Sequence, residues 1–281
     1  MASLLPSIRA AAEVKKITAF IKFTLKSTRR SKLVMASSGG IDSSTTLSLA
    51  TKAVGPTRIS IVKLPYGPKY PQAEKFTDSI AKYLKIPKRN VFAVDISLSV
   101  ERIWKSILIE LSRSQTGQSK LTNLIRLGNI MARVRMIFMY DMAKAQNALV
   151  LGTENKSEHL LGYYTRFGDE ASDLEPIRHL FKTQVRDLAE FLKLPEDIRS
   201  QAPTAGLWQG QTDQGELGFS YKTADQVLYL RFDKKLTPAQ ITTKLSQQNK
   251  DKPPTHWKKL VTKVLKRVEE NEFKHHLPYH L

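Results

Sequence analysis

The chain has 281 residues, 41% of them hydrophobic, with no cysteine and a formal net charge of +19 from 45 Lys and Arg against 26 Asp and Glu. The absence of cysteine excludes disulfides, thiolate metal sites and a cysteine nucleophile within these residues. No apolar run approaches the roughly 20 residues of a membrane span, so we expect a cytoplasmic globular protein with no membrane partner.

The first half of the chain alternates two kinds of apolar pattern. The predicted strands are short apolar runs, at residues 33–36, 59–64, 91–95 and 148–151. The predicted helices carry apolar residues at helical spacing, at residues 7–28, 43–52, 72–84, 98–115 and 123–146. This alternation indicates βαβ units and an α/β fold: a doubly wound, mostly parallel sheet with helices on both faces.

The second half has a different composition. Residues 152–222 are rich in Gly, Thr, Asp, Pro and Gln, and only 182–193 has a strongly helical pattern. Helices are predicted again at 238–248 and 256–270. No internal repeat or clear boundary is present, so we expect a single domain over residues 1–281 with a C-terminal helical segment at about 223–281.

The loop Ser37–Ser44 follows the first predicted strand and precedes a predicted helix. Glycines let a backbone approach a ligand closely, and the N–H groups at a helix start attract phosphate. Asp42 would repel a phosphate unless a cation lay between them, and Mg²⁺ is the natural bridge. The loop therefore predicts binding of ATP with magnesium.

The pattern at Ser37–Ser44 is not a Walker A loop, which requires Gly-Lys-Ser/Thr. It resembles the S-G-G-x-D-S loop of the ATP pyrophosphatase (PP-loop) superfamily, whose members cleave ATP between the α and β phosphates. This resemblance implies a Rossmann-like fold and ATP contacts from Ala36, Ser37, Ser38, Gly39, Gly40, Ile41, Asp42 and Ser43. One departure is Ala36, where the superfamily usually has glycine.

Several later motifs occur in a specific order. They are Gly128–Met136, Val150–Glu158, Gly162–Asp169, Asp173–Ile177, Lys182–Arg186, Pro203–Trp208, Gln211–Asp213 and Glu216–Gly218. Together with the first loop, these motifs resemble NAD synthetases in order and approximate spacing over roughly residues 10 to 280.

This second resemblance implies a ligase reaction. The carboxylate of nicotinic acid adenine dinucleotide attacks the α phosphorus of ATP, pyrophosphate leaves, and ammonia displaces AMP to give NAD. The family also works as a homodimer. The apolar positions of the predicted helices at 98–146 are candidates for its interface, and burial within one subunit is the equal alternative from sequence. Such chemistry needs charge stabilisation more than acid–base groups.

Residue roles follow by matching motifs to the family. Asp42 and Glu158 match the magnesium ligands, and Asp42, Glu158 and Lys182 are the expected catalytic residues. The family's further ATP-binding residues correspond to Thr153, Lys182 and Thr204. Lys182 begins a predicted helix, where a cation is mildly unfavourable, and this oddity favours a functional role.

Contacts to the dinucleotide match a second set: Arg133, Arg166, Asp173, Phe273 and Lys274. Two of these depart from the family pattern. Arg166 stands where Lys is common, and Phe273 replaces a histidine and offers no hydrogen bond. The remaining histidines lack the spacing of a zinc site.

Three questions stay open at the level of sequence. The absence of cysteine predicts free ammonia as nitrogen donor, although a separate glutaminase subunit remains an alternative. A tRNA-modifying PP-loop enzyme of the lysidine synthetase type is the main rival, because the charge of +19 suits a polyanion. We expect no nucleic-acid partner, since the basic residues form no block of five or six. The third alternative is a non-catalytic nucleotide-binding protein.

Overall fold

A computed structural model describes residues 4–67, 71–113, 119–204 and 211–276. Its sheet has four strands: β1 (Lys32–Ala36), β2 (Ile59–Lys63), β3 (Val91–Ala93) and β4 (Ala148–Val150). All three pairings are parallel, and the strand order is β3-β2-β1-β4. The predicted α/β fold with a parallel sheet is therefore confirmed.

Residues on β1 face two different hydrophobic layers. Leu33 and Met35 pack into one buried cluster, and Val34 between them packs into another. Successive side chains of a strand point to opposite faces, so a strand covered on both faces is a continuous apolar run. This explains why Leu33–Met35 lacks the polar alternation of a half-exposed strand.

Twelve α-helices of at least four residues accompany the sheet in the described part of the chain. The longer ones are α1 (Ala10–Ser27), α2 (Ile41–Val54), α3 (Pro71–Tyr83), α4 (Ser97–Arg113), α5 (Lys120–Ala145), α7 (Lys182–Phe191), α11 (Pro238–Gln248) and α12 (Pro254–Asn271). The shorter ones are α6 (Lys156–Leu161), α8 (Glu196–Arg199), α9 (Asp213–Leu217) and α10 (Tyr221–Leu228).

The helices divide between the two faces of the sheet. Buried residues of α1, α2, α3 and α7 share the cluster of Leu33, whereas those of α4 and α5 share the cluster of Val34. A third cluster joins α6, α10, α11 and α12 and lies apart from the strands. The C-terminal helices thus have their own apolar core.

One sequence expectation needs correction. Residues 152–222 were expected to contain a single helix, but the described part of this segment also holds α6, α8, α9 and the start of α10. These helices are four to eight residues long. They are too short to show a helical period in the sequence, and isolated helices of this length are unstable without tertiary packing.

The strand order places a switch point at the site of interest. From β1 the chain adds β2 and β3 on one side and then crosses to β4 on the other side. In doubly wound sheets, ligands bind beyond the carboxyl ends of the strands at such a reversal. The loops after β1 and β4 meet there. Among the described helices, none is long and apolar enough to cross a lipid bilayer.

Candidate functional site

The loop after β1 folds into a tight turn that needs glycine. Gly39 has a φ of 72°, in the left-handed region that disfavours side chains. Its N–H donates to the Oγ of Ser37 at 3.3 Å, and the N–H of Gly40 donates to the Oγ of Ser38 at 3.3 Å. Gly40 caps α2, so Asp42 lies in the first turn of that helix. Ala36 ends β1, where it is partly buried against the cluster of Val34.

The loop after β4 approaches the first loop through Asn155. Its side chain caps α6 by accepting from the N–H of Glu158 at 3.0 Å, and its Nδ2 donates to Oδ1 of Asp42 at 3.0 Å. Asn155 is fully buried. No role was predicted for Asn155 from the sequence, although Asn three positions before Glu is a helix-start signal. Thr153 lies in the same loop, between β4 and Asn155.

Lys182 lies between the two carboxylates that the sequence predicts as magnesium ligands. Its Nζ donates to Oδ2 of Asp42 and, at 2.9 Å, to Oε1 of Glu158. The Lys182 side chain is 3% exposed, against 16% for Asp42 and 18% for Glu158. The three residues expected to be catalytic therefore form one contiguous cluster at the switch point of the sheet.

Negative charge exceeds positive charge around this ammonium group. Asp213 of α9 adds a third carboxylate, which is 3% exposed and accepts from the hydroxyl of Tyr221 at 3.0 Å. Burial alone would lower the pKa of Lys182, but the charges of Asp42, Glu158 and Asp213 outweigh burial and raise it. Burial raises the pKa of Glu158, against the opposing charge of Lys182.

The donor set suits a hard cation that keeps other ligands. Asp42 and Glu158 supply carboxylate oxygens next to a loop shaped for phosphate, and Mg²⁺ in proteins binds one or two carboxylates together with phosphates and water. Within the described ranges, no group of three or more His, Asp or Glu is arranged to hold a metal ion. Two carboxylates beside the loop after β1 fit magnesium that arrives with a nucleotide.

Three residues of the expected dinucleotide set meet around the turn after α6. Arg133 of α5 donates to the carbonyl of Arg166 from Nε at 3.3 Å and from Nη2 at 3.1 Å. Lys274 donates to the carbonyls of Gly162 at 2.6 Å and Tyr164 at 3.0 Å. These contacts bring Arg133, Arg166 and Lys274 to a single turn.

The other predicted binding residues are not part of these contacts. One carboxylate oxygen of Asp173 accepts from the backbone N–H of Val150 at 2.7 Å, so it continues the hydrogen bonding of β4. Phe273 is 48% exposed. Thr204 is exposed, and positions 205–208 of the Pro203–Trp208 motif lie outside the described residues.

Comparisons with known proteins agree with this geometry. A family model described as NAD synthase matches residues 13–278. The NH(3)-dependent NAD(+) synthetase of Pyrococcus furiosus is 35% identical over 266 residues, which cover 94% of this chain and 93% of that protein. A solved NMN synthetase from Francisella tularensis has a TM-score of 0.77 at 28% identity, covering 98% of this chain and 99% of its own. The NH3-dependent NAD synthetase from Campylobacter jejuni has a TM-score of 0.69 at 25% identity, covering 98% and 100%.

Proposed function

The chain belongs to the NAD synthase family, and from this premise we propose how its residues make NAD. The reaction is the ATP-dependent amidation of nicotinic acid adenine dinucleotide with ammonia. The observation that carries the assignment of residues is the buried contact of Lys182 with Asp42 and Glu158 at the switch point of the sheet. Family membership removes the tRNA-modifying alternative.

The reaction has two displacement steps. A carboxylate oxygen of the dinucleotide forms a bond to the α phosphorus of ATP, and the bond to pyrophosphate breaks. Ammonia then forms a bond to the acyl carbon, loses a proton, and AMP leaves with the electrons of the broken C–O bond. In the first step two anions must approach each other, so the site has to offset their repulsion.

Lys182 is suited to this electrostatic task. Its neighbouring carboxylates hold Lys182 protonated in spite of burial, so the site contains a fixed cation, and a bound metal ion would offset the excess of carboxylate charge around it. Asp42 and Glu158 would hold Mg²⁺, which supplies neutralisation of the triphosphate charge when bound. We assign ATP binding to the loop Ala36–Ser43 and to Thr153, Lys182 and Thr204. Because fixed charges need no rearrangement during the reaction, they stabilise the transition state effectively.

The turn after α6 is the proposed site of the dinucleotide. Arg133 is exposed and contacts the backbone of Arg166 at this turn, the Arg166 guanidinium donates from Nη2 to the carbonyl of His276, and Lys274 closes the turn from the C-terminal segment. Guanidinium groups bind phosphates and carboxylates through paired hydrogen bonds. We also assign Asp173 to dinucleotide binding. Its side chain is exposed, and one of its carboxylate oxygens accepts from the N–H of Val150 in β4.

Ammonia is the nitrogen donor in this proposal, as the names of the curated relatives state for those proteins. A homodimer is proposed because α4 and α5 expose large apolar side chains on one face of the sheet. These are Leu98, Ile103, Ile107, Leu108, Ile109, Leu121, Ile125 and Ile137. Exposed apolar surface of this kind commonly marks a protein interface. We place the reaction in the cytoplasm, where ATP is supplied.

A second candidate substrate follows from the solved NMN synthetase, which has a TM-score of 0.77. Nicotinic acid mononucleotide carries the same reacting carboxylate and lacks the adenylyl half. The same residues around ATP would serve either substrate. The two candidates differ only in what the turn after α6 must bind.

One assay tests both candidates. The protein is incubated with ATP, MgCl₂ and ammonium, with either nicotinic acid adenine dinucleotide or the mononucleotide, and products are separated by chromatography. We expect NAD, AMP and pyrophosphate, with a higher kcat/KM for the dinucleotide. ADP and phosphate as products would contradict the mechanism, and a higher kcat/KM for the mononucleotide would establish the second candidate. Nucleotide binding without turnover would indicate a non-catalytic protein.

A further inference from the structure

Asp225 is a fully buried carboxylate on α10, one of the helices of the third cluster. It accepts three hydrogen bonds. The Oγ of Ser157 donates at 2.5 Å, and Thr183 donates from its backbone N at 2.8 Å and from its Oγ1 at 2.7 Å. Asp225 thus connects the start of α6 with the start of α7. Ser157 and Lys182, at these two starts, are 25 residues apart in sequence.

The residues that Asp225 contacts are direct neighbours of the reacting cluster. Ser157 precedes Glu158, and Thr183 follows Lys182. The Oγ of Ser157 also accepts from the backbone N–H of Lys182 at 2.9 Å, so the two helix starts are joined directly as well. Asp225 lies on a third element and contacts both helix starts. The relative position of Glu158 and Lys182 therefore depends on this network.

The start of α7 cannot supply its own capping side chain. The residue before Lys182 is Phe181, which has no side-chain acceptor for the free N–H groups of the first turn. Ser157 accepts from the N–H of Lys182, and Asp225 accepts from the N–H of Thr183, 42 residues before it in the chain. A carboxylate is favoured at a helix start, where the unpaired N–H groups concentrate positive charge.

We propose that Asp225 is a positioning residue for the reaction, because it fixes the starts of α6 and α7 so that Lys182 and Glu158 keep their contact. The inference rests on the proposed function. It adds a structural reason for the C-terminal helices, since α10 contributes the residue that holds two active-site helices together. Asp225 does not touch the substrate and acts only through Ser157 and Thr183.

The test compares Asp225→Ala and Asp225→Asn with Val227→Ala, a control on the same helix. Val227 is also fully buried and belongs to the third cluster, so its truncation loosens α10 without removing the acceptor. Because small displacements of reacting groups cost about 100-fold in rate, we expect Asp225→Ala to lower kcat by about this factor. Asp225→Asn keeps one acceptor oxygen, so its kcat should be about tenfold higher than that of Asp225→Ala. Val227→Ala should melt at a temperature similar to that of Asp225→Ala, because it truncates a buried side chain. Its kcat should nevertheless stay within about threefold of wild type.

A double-mutant cycle identifies the route of the effect. Thr183→Val removes the hydroxyl donor with little change of shape, and it is combined with Asp225→Asn. Residues that share a hydrogen bond are not additive, so the double variant should lose less kcat than the product of the two single losses. Strictly multiplicative losses, or an Asp225→Ala variant that retains kcat as Val227→Ala does, would overturn the proposal.

The affinity for Mg·ATP separates this proposal from the proposed function. Titration calorimetry of wild type and variants measures it without turnover, and we expect Asp225→Ala to weaken binding by about tenfold through the displaced Lys182. If wild type binds Mg·ATP but forms no amide product, the proposed function fails and the calorimetric comparison still decides the role of Asp225. Equal affinities in wild type, Asp225→Ala and Val227→Ala would refute the positioning role in that case.

Discussion

Replacing Lys182 with methionine removes the ammonium group that lies between Asp42 and Glu158. Methionine has a similar length and fits a buried site, so the change isolates the charge. The two carboxylates would then face each other, with Asp213 nearby and no positive charge between them. We expect both a loss of stability and a loss of NAD formation.

The magnitude of the stability loss follows from the burial of the group. Removing one partner of a buried ion pair costs about 3–5 kcal/mol. The side chains of Asp42 and Glu158 are 16% and 18% exposed, so water reaches them and the lower end applies. For a chain of this size, about 3 kcal/mol corresponds to a fall of about 6–12 °C in melting temperature.

The assay is thermal unfolding followed by circular dichroism at pH 7.5, without nucleotide, with Lys156→Met as the matched control. Lys156 lies 2.7 Å from Asp233, but these side chains are 23% and 35% exposed. Because an exposed pair contributes about 0–1 kcal/mol, the control should melt within about 4 °C of wild type. If Lys182→Met melts no lower than Lys156→Met and keeps wild-type kcat, the assignment of a buried functional cation is wrong.

Three further outcomes are expected. Asp42→Asn should retain the fold, because its amide oxygen still accepts from Asn155, but should lower kcat on the order of 100-fold in the NAD assay. Burial raises the pKa of Glu175 to about 8, so the folded protein keeps a proton that the unfolded chain releases above pH 4.5. Wild type should therefore lose stability between about pH 5 and 8, and Glu175→Gln should lose less in urea unfolding over that range. Ile137→Lys should shift sedimentation towards the monomer, whereas Phe23→Lys, on α1 against the other face of the sheet, should not.

The fold was largely predictable because its strands are short, buried and punctuated. The runs at Leu33–Ala36 and Ile59–Leu64 end in Gly or Pro segments, and parallel strands buried on both faces need continuous apolar residues. The short helices α6, α9 and α10 were not predictable in the same way. Their stability comes from packing in the third cluster, which the local sequence does not display. A single domain over residues 1–281 stays a prediction.

The site was predictable in part for a related reason. Asp42 and Glu158 follow strands that the fold rule places side by side, so their proximity could be inferred. Asn155 and Asp225 act through contacts with residues 113 and at least 42 positions away, respectively. Only the packing of the loops and C-terminal helices makes those contacts, and no local spacing reports them.

The position of Lys182 is unfavourable for a positive charge for two reasons. The side chain is buried, and it begins a helix whose free N–H groups already concentrate positive charge. Replacing a complete buried charge cluster with neutral groups of similar volume is often neutral or stabilising. The combined change Asp42→Asn, Glu158→Gln and Lys182→Met should therefore melt at least as high as wild type and form no NAD. Stability well below that of Lys182→Met alone would show that the cluster is retained for folding. The expected result would show that it is retained for chemistry.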